Sequence, residues 1–263
     1  MVFRFLRWLV VGILMLSAGV VSAQRPAQGP MSRTVFEPGA HGYRLVWEDE
    51  FPGTALDRSK WKPRSLGPRG PAFVSEEAIE VRDGYLWLWA KKDASGRMLS
   101  SAVGTMDTFQ PRYGYFECRA QVQKSAGVWS AFWIQSKDIA KGEDPAVYGA
   151  EIDIMECFRK LGPDIVSHNV HWAYGPNQKS TRGMQSTLKG LSTGFHTFGL
   201  EWTPDKYVFF VDGMPFYEVK IGISRIPEYL ILSMEYPNNP EELARTLFPD
   251  VFVVDWVRVW QKP

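Results

Sequence analysis

An all-β fold, an antiparallel sandwich or barrel, is what the sequence predicts, and three observations lead there. Short segments of period-two alternation rich in β-branched and aromatic residues recur at residues 85–91, 114–122, 128–135, 150–158, 165–174, 196–202, 207–211 and 251–260. Gly, Pro, Asp and Asn separate them, with Thr203-Pro204-Asp205-Lys206 and Asp212-Gly213 as turn signals on either side of one strand. Helical periodicity is almost absent, residues 240–245 being the best short candidate. Many strands joined by turns and few helices specify antiparallel sheets.

In chain order, residues 1–23 are expected to be a secretory leader. Arg4 and Arg7 precede an apolar run from Trp8 to Val21, and Val21-Ser22-Ala23 is a small-residue cleavage pattern. The alternative, an uncleaved anchor, meets a run shorter than the roughly 20 residues that span a bilayer. A secreted or periplasmic protein follows, with no stable membrane insertion once the leader is removed. Residues 24–42, rich in Pro, Gly and polar residues, read as a linker. Residues 43–263 are enough for one large domain with a sizeable core. Removing Arg4 and Arg7 leaves 28 basic against 29 acidic residues, a net of −1, which offers no electrostatic footprint for nucleic acid. Cys118 and Cys157 are too few for a disulfide scaffold and wrongly spaced for zinc; they pair only if their strands are neighbours. The chain holds 11 Trp, 10 Tyr and 16 Phe, a load that suits both a large core and a carbohydrate cleft.

The alternation assigns faces. Tyr113, Tyr115, Glu117 and Arg119 share one face of their strand, and Gly114, Phe116, Cys118 and Ala120 the other. Trp129, Ala131 and Trp133 oppose Val128, Ser130, Phe132 and Ile134. Each strand thus has a core face and a face of aromatic or charged groups that a concave binding surface could use. His196 lies with Phe198, Leu200 and Trp202, which reads as a hydrogen-bonded core histidine.

Glu151, Asp153 and Glu156 are the acids that carry chemistry. On a helix they would fall at roughly 0°, 200° and 140°, so no single face holds them. On a strand Glu151 and Asp153 point the same way, about 6.6 Å apart along the chain, while strict alternation sends Glu156 into the core. A buried unpaired carboxylate costs several kcal/mol, and a β-bulge near Met155 restores the phase. A solvated acidic strand or a calcium site would explain the pattern blandly. Glycoside hydrolysis by double displacement explains it chemically, since it needs a nucleophilic carboxylate and, about 5–5.5 Å away, a carboxylic acid that keeps its proton.

Further motifs in fixed order accompany that strand: Leu45-Val46-Trp47-Glu48-Asp49-Glu50-Phe51, Tyr113-Gly114-Tyr115-Phe116-Glu117-Cys118-Arg119-Ala120 with Gly127-Val128-Trp129-Ser130-Ala131-Phe132-Trp133, Ala150-Glu151-Ile152-Asp153-Ile154-Met155-Glu156, Phe195-His196-Thr197-Phe198-Gly199-Leu200-Glu201-Trp202, and Val254-Asp255-Trp256-Val257-Arg258-Val259. Together they resemble glycoside hydrolase family 16, in its bulge-containing branch of laminarinase-, lichenase- and agarase-like enzymes. The resemblance implies a β-jelly-roll sandwich of two antiparallel sheets with a substrate cleft on the concave one. It implies a retaining endo-glycosidase with Glu151 as nucleophile, Asp153 as its assistant and Glu156 as general acid/base, acting without a cofactor and as a monomer on a polysaccharide, most simply a β-1,3- or β-1,3-1,4-glucan. Trp129 and Trp133 become sugar-stacking candidates, and His171 a cleft histidine near the acid/base. Arg119 and Glu117 either bind substrate or pair with each other. A structural calcium through Asp255 is a further implication.

The chain departs from the laminarinase pattern at residues 233–249, which have no Gly-rich loop with a Trp, so agar-type β-galactans and host O-glycans stay open as substrates. Transglycosylation on the same site and a non-catalytic, lectin-like sugar-binding module are the rival functions.

Overall fold

The computed structural model describes residues 26–263; the expected leader and the first two residues of the expected linker lie outside them. Two antiparallel layers face each other. One runs in the order Met184–Thr187, Ile165–Trp172, Glu151–Glu156, Trp129–Gln135, Tyr229–Glu235, Met98–Gly104. The other runs Met214–Val219, Tyr207–Val211, His196–Trp202, Gly114–Gln121, Asp250–Gln261, Tyr85–Lys92. The hairpin of Tyr85–Lys92 with Met98–Gly104 joins the layers, where Lys91 pairs with Leu99. This is the jelly-roll sandwich, and all eight expected strands are present with ends shifted by at most two residues. The expected helix is a single turn, Pro240–Leu243, whose Asn239 cap accepts from the amides of Glu241 and Glu242.

The core lies between the layers, and alternation dictates who enters it. Phe116, Cys118 and Ala120 meet it from one layer, and Phe132, Ile134, Ile152 and Ile154 from the other. Fully burying each large apolar side chain stabilises the fold by about 1.5–3 kcal/mol, so a one-residue slip of either strand would forfeit several such terms at once. The faces of Trp129, Ala131 and Trp133 are as expected, turned from the core onto the concave surface with Tyr229 and Ile231.

Three expectations are corrected here. Strand Gly114–Gln121 belongs to the second layer, so its polar face looks away from the cleft. Glu117 and Arg119 therefore cannot bind substrate there, nor do they pair with each other. Arg119 forms an ion pair with Asp255, and Glu117 accepts from the Tyr115 hydroxyl at 3.1 Å. That ion pair occupies the carboxylate proposed for calcium, and Asp255 belongs to no metal-ligating cluster among the described residues. The expected linker also packs onto the domain. The Met31 and Phe36 amides donate to Pro215 and Gly213 at 2.7 and 2.9 Å, and the Phe36 ring lies 4.8 Å from Tyr115. Its composition carries no period, yet its main-chain groups serve an edge strand that would otherwise be open.

His196 is a hydrogen-bonded histidine, 2.8 Å from Asp212 through Nδ1. Cys118 and Cys157 are buried free thiols in opposite layers, and burial pushes the Cys157 thiol up to about 12. A thiol-reactive dye at neutral pH is expected to leave the native protein unlabelled and to titrate two thiols per chain in denaturant. Labelling of the native fold would contradict this packing.

Candidate active site

Strand Glu151–Glu156 enters the concave sheet through Gly149, whose φ of +79° suits glycine; a Cβ there would come within 2.2 Å of Ser136. The buried Glu228 carboxyl accepts from the Ala150 amide at 2.7 Å and so fixes where the strand begins. Glu151 then pairs with Gln135 and Asp153 with Trp133, but the next partners are Met155 with Phe132 and Glu156 with Ala131. The register shift is the bulge expected from the acids' spacing. Ile154 and Met155 both go into the core, and Glu156 returns to the face of Glu151 and Asp153.

A bulge leaves backbone groups without ladder partners. His168, fully buried on the neighbouring strand Ile165–Trp172, meets that need. Its Nδ1 lies 2.6 Å from the Ile154 carbonyl and its Nε2 2.7 Å from the Ser186 hydroxyl. A carbonyl can only accept, so Nδ1 carries the proton and Ser186 donates to Nε2. Burial lowers the ring's pKa to about 4, which keeps it neutral.

The three acids line a hollow of about 200 Å3 with Trp129, Trp133, Arg69, Ser233 and Glu235. Larger hollows exist at the second layer and elsewhere on the first, one of them also touching Glu156, but none of them holds a pair of carboxylates. Burial raises the pKa of Asp153 well above the carboxylate range, with the charges of Glu156 and Glu151 adding to the rise. Burial also pushes Glu156 up to about 8, helped by the charge of Glu151 and opposed by a hydrogen bond from Trp129. Glu156 is partly open to the cleft. At neutral pH the site therefore holds a protonated carboxylic acid next to other carboxyls, which is the separation of roles that acid-assisted bond cleavage requires.

Trp129 leans on Phe158 with ring centroids 5.2 Å apart and reaches Glu156. Trp133 donates from its indole to Ser233 at 3.2 Å, and the Arg64 guanidinium covers its ring at 4.7 Å. His171 is in the cleft but not by Glu156: its strand register sets it opposite Glu151. Its Nε2 lies 3.5 Å from Asp153, but the approach is no ion pair. The Asn169 amide nitrogen, whose carbonyl end already accepts from Val170 and Thr181, donates to that same Nε2 at 2.8 Å. The ring is thus neutral, in line with the burial that lowers its pKa.

Sequence reasoning missed Gln135, Tyr174, Arg64, Arg69, Tyr229 and Glu235. Gln135 stands two residues after Trp133 on the same face, so alternation could have flagged it. Arg64 comes from the loop before the short strand Gly67–Arg69 and Arg69 from the end of that strand, and Arg69 reaches over the cleft to Glu235 at 2.7 Å; no local pattern announces that.

Residues 46–262 match the family model described as "Beta-porphyranase A-D, GH16 domain". The chain belongs to glycoside hydrolase family 16. It is a glycoside hydrolase, and its fold is the jelly roll of its solved neighbours. The glucan endo-1,3-beta-glucosidase A1 of Niallia circulans is 30% identical over 233 residues, covering 79% of this chain but 33% of that protein. The keratan-sulfate endo-1,4-beta-galactosidase of Sphingobacterium multivorum is 25% identical over 251 residues, or 84% of this chain and 56% of its own length. The chain thus spans between a third and a little over half of those relatives. The catalytic domain of an endo-1,3-beta-glucanase (laminarinase) from Thermotoga petrophila RKU-1 superposes with a TM-score of 0.71 at 25% identity, over 84% of this chain and 98% of that one.

The bulge support is testable by stability. His168→Ala leaves the Ile154 carbonyl buried without a donor and should cost about 1–3 kcal/mol in urea unfolding. The folded pKa of His168 lies below the ordinary value of 6.5, so the unfolded chain takes up its proton first as pH falls. The stability gap between wild type and variant should therefore narrow from about pH 6.5 towards about 4. A gap that widened with acid would contradict the neutral ring.

Proposed function

We propose that this chain is a retaining endo-β-glycosidase in which Glu151 is the nucleophile, Glu156 the general acid/base and Asp153 the assistant of Glu151. One observation carries this reading: the bulge returns Glu156, whose proton burial retains, to the cleft face beside Glu151. Glu156 gives its proton to the glycosidic oxygen while Glu151 attacks the anomeric carbon, and Glu156 then takes a proton from the water that releases the sugar. Asp153, kept protonated by burial, can donate a hydrogen bond within the acid cluster. Trp129 and Trp133 edge the hollow as sugar-facing aromatics. The leader expected over residues 1–23 would put this activity outside the cytoplasm, where polysaccharides are met.

For the polymer we propose a β-galactan, in place of the β-glucan that the sequence resemblance first suggested. Three features support it: the porphyranase description of the matching family model, the absence of the Gly-rich Trp loop, and two arginines, Arg69 lining the hollow of the acids and Arg64 lining another hollow beside Tyr229. Arg64 has no carboxylate within ion-pairing distance among the described residues; it donates to Gln135 and Tyr229 instead. Such arginines suit a galactan bearing anionic groups. A β-1,3-glucan is the second reading, favoured by the relative from Niallia circulans and the laminarinase superposition.

Incubation with porphyran, agarose, keratan sulfate, laminarin, lichenan and xyloglucan, with product sizing, tests the choice. Oligosaccharides from a galactan are expected, and release from laminarin alone would overturn it. An added acceptor oligosaccharide separates hydrolysis from transglycosylation by the products formed. Glu156→Ala should cut turnover about 10²–10⁴-fold and Glu151→Ala should bring it to background, with melting curves unchanged. A sugar-binding module would keep its binding and show no turnover in either case. Because Glu156 must carry a proton, kcat/KM should decline as pH rises through about 8, and that limb should vanish in Glu156→Gln.

A further inference from the structure

Glu151 is held by one oxygen. Its Oε2 accepts from the Gln135 side-chain amide at 2.7 Å and from the Tyr174 hydroxyl at 2.5 Å. Its Oε1 has no hydrogen-bond partner among the described residues. Burial and the charge of Glu151 raise the pKa of Tyr174, so its hydroxyl stays a donor. The orientation of Gln135 is set from behind. Its Oε1 accepts from the Arg64 guanidinium and the Tyr229 hydroxyl, both at 2.9 Å. Arginine can only donate, so the carbonyl end of Gln135 must face Arg64 and its NH₂ must face Glu151. Tyr229 is fully buried, and Arg64 is braced on Trp133 and Tyr229, 4.7 and 5.8 Å from their rings.

We infer that Gln135 and Tyr174 set the lifetime of the glycosyl-enzyme, by designating Oε1 as the bonding oxygen and by stabilising the carboxylate when it leaves. The inference rests on Glu151 being the nucleophile. In the first step an Oε1 electron pair forms the bond to the anomeric carbon, the bond to the glycosidic oxygen breaks, and that oxygen takes the proton of Glu156. Oε2 becomes the carbonyl oxygen of an ester, still within reach of both donors. In the second step a water oxygen bonds to the anomeric carbon, its proton goes to Glu156, and the bond to Oε1 breaks with its electrons returning to Glu151.

The two donors act oppositely on these steps. Hydrogen bonds to a charged oxygen are about twice as strong as those to a neutral one. Glu151 loses its charge in the first step, so the donors restrain attack there, while the fixed geometry they provide works the other way. Glu151 regains its charge in the second step, where donors and geometry act together. Removing a donor must therefore slow release more than attack. Arg64 and Tyr229 are positioning residues for this step, reaching Glu151 through the orientation of Gln135.

The test uses 2,4-dinitrophenyl β-glycosides of galactobiose and of laminaribiose side by side, so that it does not depend on the polymer. In Tyr174→Phe and Gln135→Leu, kcat should fall about ten- to hundredfold with KM falling by a similar factor. A burst approaching one dinitrophenol per enzyme should precede steady turnover, and intact-mass spectra should show accumulated glycosyl-enzyme where wild type shows little. Arg64→Met with Tyr229→Phe together should reproduce the Gln135→Leu behaviour, while Arg64→Met alone should have a smaller effect. A merely structural loss lowers activity without accumulating the covalent species. Variants that lose the burst, or whose KM rises as kcat falls, overturn the inference. Peptide mapping keeps the two ideas apart: a sugar attached to a residue other than Glu151 defeats the nucleophile assignment. A sugar on Glu151 that accumulates no more in the variants than in wild type defeats only the role of Gln135 and Tyr174.

Discussion

One constraint shapes this molecule: three acids at positions one, three and six of a strand must reach one face, although strict alternation sends the sixth inward. A carboxylate left among Ile152, Ile154 and the facing core would cost several kcal/mol, a large share of the stability of any domain. The chain resolves this by spending two consecutive residues, Ile154 and Met155, on the core side. Both are apolar, so the bulge buries carbon where a regular strand would have buried charge. The backbone group it strands is met by His168 from the neighbouring strand, which makes a core histidine part of the aiming of Glu156.

The electrostatics follow from that crowding. Four carboxyls line one small hollow; Glu235 is paired with Arg69, the other three cannot all be ionised at neutral pH, and burial decides which of those keep protons. Asp153 and Glu156 are pushed towards the protonated form, while Glu151 is served by two donors on one oxygen. The difference in role comes from what each carboxyl touches, since Glu151 and Glu156 are chemically the same residue. The donors themselves are fixed by a second tier, Arg64 and Tyr229, brought from a loop and from strand Tyr229–Glu235.

The second layer has a different task. Its outer surface is closed by Phe36, Tyr43, Tyr115, Phe210 and Trp260, and by ion pairs such as that between Arg119 and Asp255. Charged and aromatic residues on an alternating strand describe a cleft wall and an outer wall equally well. Only the pairing of strand Gly114–Gln121 with His196–Trp202 and Asp250–Gln261 places Glu117 and Arg119 on the outside.

By itself the sequence determined what depends on neighbours along the chain: the strands and their faces, the turns, the acid triplet and the bulge it demands. Period-two alternation is a local property, and the cost of a buried carboxylate can be reckoned from the six residues 151–156. The tertiary structure alone decided which layer each strand joins, and hence that Glu117 and Arg119 are not in the cleft and that His171 stands opposite Glu151. It also decided that Gln135 and Tyr174 converge on one carboxylate oxygen, with Arg64 and Tyr229 holding Gln135 from behind. These four lie as much as 165 residues apart in the chain, and hydrogen bonds of 2.5 to 3.2 Å between them and Glu151 depend on sheet order and register, which no local pattern encodes.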